Sequence, residues 1–189
     1  MNHLHIYVGK IPTSNDGLYW VSFESDPKLK KNKANIYGRC LPCIQNLYEQ
    51  LKAGKKEIAL GYALQCWKVA AVVNNLEEAL ALLSEFEKTF TGEHVYGKLG
   101  SGRKDLTTKV VVFHGESEEE RDCLKDTLTI CLKKRGNMNP PLISRGCAVL
   151  HQELFGDWRT WQEVTPVVNE AKIPEMLERI KNILYRSAI

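Results

Sequence analysis

The densest group of residues able to do chemistry is Gly97-Lys98-Leu99-Gly100-Ser101-Gly102-Arg103-Lys104. Glycines leave backbone amides accessible, and Lys98, Arg103 and Lys104 add positive charge around them. Those are the two ingredients with which a chain cradles a phosphate. The segment approaches the P-loop pattern G-x4-G-K-[ST] and departs from it twice: Arg103 stands where lysine is needed, and Lys104 where a hydroxyl must reach magnesium. The residues that follow, Lys109 to His114, are apolar and β-branched, so a strand and not a helix leaves the loop. A P-loop is excluded. Two readings remain: a phosphate-contacting loop using Lys98, Gly100, Gly102, Arg103 and Lys104, or a hairpin connection in which glycine is turn chemistry.

Histidine supplies a second set: His3, His5, His94, His114 and His151. His114 ends an apolar strand beside Gly115, a position from which an imidazole can act as general acid or base near neutral pH, and it is the one candidate catalytic residue. The bland alternative is a polar strand terminus. Arg145, in Ser144-Arg145-Gly146-Cys147, either faces an anionic ligand or pairs with surface carboxylates such as Glu118 or Glu119.

Cys40-Leu41-Pro42-Cys43 resembles the C-x-P-C redox motif of the thioredoxin family, in which a helix N-terminus activates a thiol. That family also sets a cis-proline opposite its thiols, and no proline occurs here between Pro42 and Pro140. A zinc site needs two further ligands, and no second paired motif supplies them. The expectation is therefore no metal and no cofactor. The six cysteines are sparse and unevenly spaced, which points to thiols in a reducing compartment.

The charges are unevenly placed. Acidic residues gather at helix starts, Glu77-Glu78 and Glu116 to Asp122, where they complement the helix dipole. Lys133-Lys134-Arg135 sits at a helix end for the same reason. The basic run with Lys28, Lys30, Lys31 and Lys33, and the loop from Lys98 to Lys109, have no such local explanation. A net charge of +3 over 189 residues hides this segregation. If the basic runs share one side of a sheet with Tyr7, Tyr19, Trp20 and Tyr96, they suit RNA or nucleotide binding by charge and stacking.

The elements that would position these residues follow from periodicity. Leu4 to Val8 and Leu18 to Phe23 read as a strand pair around the turn Pro12 to Gly17. A helix follows from about Leu41 to Lys52, and Lys56 to Gln65 leans to strand. From Trp67 to His151 the order reads β-α-β-β-α-β, with capping boxes at Asn75/Glu78 and Ser117/Glu120 and a fourth strand over Pro141 to Leu150. That is a split βαβ, ferredoxin-like α+β pattern. The expected division is an N-terminal ββα(β) segment, 1–66, covering the open sheet face, and a second part, 67–189, with an aromatic loop at Trp158 to Trp161 and a C-terminal helix from Pro174. The glycine-rich loop and this fold loosely resemble the RNA-handling subunits of CRISPR systems, without matching their loop in position or spacing.

Forty-three per cent hydrophobic and 26% charged residues exclude collagen-like, disordered and disulfide-scaffold classes. No run reaches the ~18–20 apolar residues of a membrane helix, and a cytoplasmic protein is expected. The leading expectation is a binding module contacting RNA or another phosphorylated ligand. One alternative is an assembly subunit, homo-oligomeric or within a larger complex, using Trp158 and Trp161 or a sheet edge. The other is a metal-independent phosphodiester- or nucleotide-processing enzyme built on His114.

Overall fold

The computed structural model describes residues 4–9, 20–26, 40–101 and 108–186. It is an α+β protein whose contacts separate two compact units: residues 1–36 with 67–143, and residues 37–66 with 144–189.

The first unit is built on a sheet. Its strands are β1 (Tyr7–Val8), β2 (Trp20–Glu24), β4 (Trp67–Val72), β5 (Tyr96–Gly100) and β6 (Val110–Gly115), with β7 (Leu142–Arg145) beginning at its end, in the order β1-β2-β5-β6-β4-β7. Strand β3 belongs to the second unit. Pairing is antiparallel from β1 through β2, β5 and β6 to β4. Two helices, α2 (Leu76–Thr89) and α3 (Glu118–Lys134), pack on one face. Alternation chooses that face: Phe23, Leu99, Val111, Phe113, Val69 and Ala71 point to the helices and are buried with Ala79, Leu82, Leu83, Phe86, Leu124, Leu128 and Cys131.

The core of this unit is aromatic. Phe113 stacks on Phe86 of α2 with ring centroids 4.3 Å apart, and meets Phe23 edge-on at 5.1 Å. Phe23 fits because the residue opposite it is Gly97: a Cβ there would lie 2.1 Å from the Val112 carbonyl oxygen and 2.4 Å from the Phe23 ring. Gly97 is thus a packing glycine inside a strand.

Both helices start with a side-chain cap. Asn75 Oδ1 accepts from the Glu78 amide at 2.8 Å, and Ser117 Oγ from the Glu120 amide at 3.1 Å. The returning glutamates reach one residue further back than a capping box requires. Glu78 accepts from the Asn74 amide at 2.8 Å, and Glu120 from the Glu116 amide at 2.6 Å. At the other helix ends, Lys134 donates to Glu85 at 2.8 Å, a bond that raises the lysine pKa and lowers the carboxyl's. The cation at the close of α3 therefore ties it to α2. The β1 side is held by the Ile6 amide, which donates to Glu87 at 2.5 Å.

The second unit is mainly helical. Helices α1 (Cys40–Lys52), α4 (Ala148–Phe155) and α5 (Ile173–Arg186) share a core with the short pair β3 (Glu57–Ala59) and β8 (Val164–Pro166). Ile44, Leu47, Leu51, Leu154, Phe155, Met176 and Ile180 are buried together. Gln50 stitches α1 to β3, its amide both donating to and accepting from Ala59 at 3.0 Å.

Three expectations are corrected. The N-terminal strands do not cover a sheet face; they lengthen the sheet beside β5. The fourth strand stops at Arg145, and Ala148 to Phe155 is helix, placing His151 in a helix. The strand expected over 56–65 is three residues followed by a 3-10 turn, Gly61–Leu64. Each of the two compact units is made of two separated segments.

Substituting Gly97→Ala forces a methyl against backbone. We expect a loss of about 3 kcal/mol in stability, read as a lowered urea midpoint with unchanged slope.

Candidate functional site

The sheet face of the first unit turned away from α2 and α3 gathers the chemistry. Register places Tyr7 opposite Glu24, Glu24 opposite Tyr96, and His114 opposite Lys68. The next row holds Ser22, Lys98, Val112 and Ala70, and the row after it Trp20, Gly100, Val110 and Val72. Diagonal neighbours meet across this face. The Lys98 ammonium lies over the Trp20 ring at 4.2 Å from its centroid, a cation–π contact that keeps the ammonium on that face. The Tyr96 and His114 rings lie parallel, 5.8 Å apart and 6° from coplanar. Tyr96 is 8% exposed, whereas Tyr7 on the outer strand is 51% exposed.

Lys98, Gly100 and His114 come together on this face. Gly100 adopts φ +144°, a conformation L side chains rarely take, and its carbonyl accepts from Lys109 at 3.1 Å. Gly102, Arg103, Lys104, Lys30, Lys31 and Lys33 lie outside the described residues. Arg145 ends β7, and its guanidinium donates to the Leu64 carbonyl within the second unit.

The other motifs are placed as follows. Cys43 is buried on α1, and no group of three His, Cys, Asp or Glu able to hold a metal ion occurs among the described residues. Burial pushes the Cys131 thiol up, away from the reactive range. Trp161 is 7% exposed and packs edge-on to Phe155 at 6.0 Å, so it serves the core of the second unit, while Trp158 sits under the Arg159 guanidinium at 4.8 Å. No described helix is long and apolar enough to cross a membrane.

Two features were not singled out from the sequence. The first is a cavity of about 330 Å³ in the first unit, at the end of the sheet where β2 stops, β5 starts and β6 runs into α3. Its carboxylates come from three segments, Glu24 and Asp26 at the end of β2, Glu93 before β5, and Glu116 and Glu120 at the start of α3, and strand pairing brings those segments together beside His94 and His114. The visible signal was half of it: the acidic run at the start of α3.

The second is His151, 1% exposed among Phe155 and Trp161 in the second unit. Burial lowers its pKa from 6.5 to about 4, against a smaller opposing pull from the Cys147 backbone.

No protein-family model, no curated protein and no solved structure matches the chain. The fold class is α+β, and function is argued from the site.

His151 makes stability pH-dependent. The unfolded chain takes up a proton near pH 6.5, whereas the folded chain resists it down to about pH 4. Protons therefore favour unfolding, and this contribution is present above pH 6.5 and lost as pH falls toward 4. We expect His151→Phe to spare the protein about 3 kcal/mol of the wild-type loss between pH 7 and pH 4, measured by urea denaturation of both proteins across that range.

Proposed function

We propose that the chain is a binding module whose sheet face opposite α2 and α3 contacts single-stranded RNA or another phosphorylated ligand. The observation that carries this reading is the Trp20–Lys98 pair, with the ammonium 4.2 Å above the indole, on the strand that leads into Arg103 and Lys104. A base stacks on an aromatic plane whatever its identity, and a cation beside that plane meets the adjoining phosphate. Tyr7, on the same face and half exposed, offers a second platform. The basic segments at Lys28 to Lys33 and Arg103 to Lys104 supply further charge in this reading.

The stretch from Trp67 to Arg145 is read here as a ferredoxin-like unit. Supporting this, the sheet order β5-β6-β4-β7 sets its first and third strands at the centre, with α2 and α3 on one face. Such a sheet leaves its other face for ligands. The packing of Trp161 in a core lends less support to the assembly alternative, in which the Trp158 to Trp161 loop is an interface.

The test is a filter-binding titration with a single-stranded RNA oligonucleotide across a salt series. The expected result is binding that weakens with salt. Lys98→Gln should reduce the salt slope by about one phosphate contact, and Trp20→Ala should weaken binding roughly tenfold with the slope unchanged. Absence of any salt-dependent binding at low ionic strength overturns the proposal.

A further inference from the structure

Four of the six cysteines, Cys40, Cys43, Cys66 and Cys147, belong to the second unit. They come from three places in the chain: the first turn of α1, the stretch just past the 3-10 turn Gly61–Leu64, and the N-cap of α4. Spacing alone offers one pair, Cys40-x-x-Cys43, and no second pair to complete it. The fold brings up the other two singly.

The meeting point is the 3-10 turn. Helix α1 packs on it. The Cys147 thiol lies 4.0 Å from the Ala63 carbonyl oxygen. The Gly146 amide donates to the Cys66 carbonyl at 2.7 Å, and a Cβ at Gly146 would lie 3.0 Å from the Cys66 Cβ. Cys43, Ala63 and Cys147 are buried in one core cluster.

The surroundings favour thiolates. Cys43 sits in the first turn of α1 and Cys147 caps the start of α4, and a helix start carries partial positive charge. The Arg145 guanidinium, bound to the Leu64 carbonyl, adds a full positive charge beside the backbone that leads to Cys66 and Cys147. A set of four thiolates is the ligand set of a closed tetrahedral zinc site, and C-x-x-C is the spacing with which such sites take two ligands. The described thiols do not by themselves form a group of three around one point. The Cys40 side chain lies outside the described residues. Each cysteine moves its sulfur by turning a single torsion, which leaves the backbone in place.

We propose that Cys40, Cys43, Cys66 and Cys147 hold one structural zinc ion that ties residues 37–66 to residues 144–189. On binding, four S–H bonds give way to four Zn–S bonds and the protons pass to solvent, so no oxidant takes part. A unit assembled from two separated stretches gains stability from such a tie, because the binding free energy becomes folding free energy. The site does not rest on the nucleic-acid reading.

The test uses the full chain, loaded with zinc, desalted and examined by native mass spectrometry. One zinc ion per chain is expected. Cobalt in its place should give the strong visible bands of a tetrahedral thiolate complex. Cys66→Ser and Cys147→Ser should each lose the ion, whereas Cys123→Ser, on α3 in the first unit, should keep it. If a serine variant fails to fold, amide hydrogen exchange on the unaltered chain decides. Stripping zinc with a chelator should speed exchange at Leu47 and Leu154 about tenfold and leave Val111 and Phe113 unchanged. No zinc after desalting, a cobalt complex without thiolate bands, full zinc content in folded Cys66→Ser or Cys147→Ser, loss of zinc in Cys123→Ser, or exchange indifferent to the chelator would each overturn the proposal.

Discussion

The contact between Phe113 and its aromatic neighbours organises the first unit. Phe113 lies in the middle of β6, stacks on Phe86 of α2 and meets Phe23 of β2 edge-on. Through those contacts a single ring joins a helix to strands from distant parts of the sequence. The arrangement requires Gly97 between Phe23 and Phe113, where a side chain would collide with the Val112 carbonyl. Because side chains alternate along a strand, fixing Phe113 inward sends its neighbours Val112 and His114 to the opposite face. The same constraint, passed through the register, turns Lys98 and Tyr96 outward on β5, and Trp20 and Glu24 outward on β2.

That face is electrically divided. Lys98 occupies the middle row with Trp20 beside it, while Glu24 and the carboxylates around Glu116 sit at the sheet end. A small net charge of +3 therefore conceals local fields of opposite sign within one unit. Elsewhere, charges have structural duties, as with Lys134 on Glu85, or Arg179 on Glu153 at 2.7 Å.

Much of the local structure was legible because it is written in short-range chemistry. Asn75 and Ser117 announced the two helix starts, and the spacing of Leu124, Thr127, Leu128, Cys131 and Leu132 announced which side of α3 is buried. The end of the fourth strand was harder. Ile143 to Leu150 is apolar enough for either state, and short apolar stretches do not separate strand from helix by periodicity. Ala148, His151, Leu154 and Phe155 are buried, a spacing that a helix puts on one face and strand alternation does not. Lys98, Gly100 and His114, candidates read from a glycine-rich loop and a strand end, share one face of the sheet. Arg145, read as an anion contact or a surface ion pair, donates to a backbone carbonyl 81 positions away, a contact that residue type and spacing do not announce.

By itself the sequence determined the α+β character, the caps, the buried faces of the long helices and the presence of basic segments without a local explanation. Each is set by interactions spanning a few residues, where residue type and spacing carry the whole signal. Only the tertiary structure decided that residues 37–66 join 144–189, that β1 and β2 extend the sheet, and that Glu24, Asp26, Glu93, Glu116 and Glu120 line one cavity. Those outcomes depend on strand register and on contacts between distant segments. A one-residue slip in register would turn the same side chains to the other face, and nothing local in the sequence records which register wins.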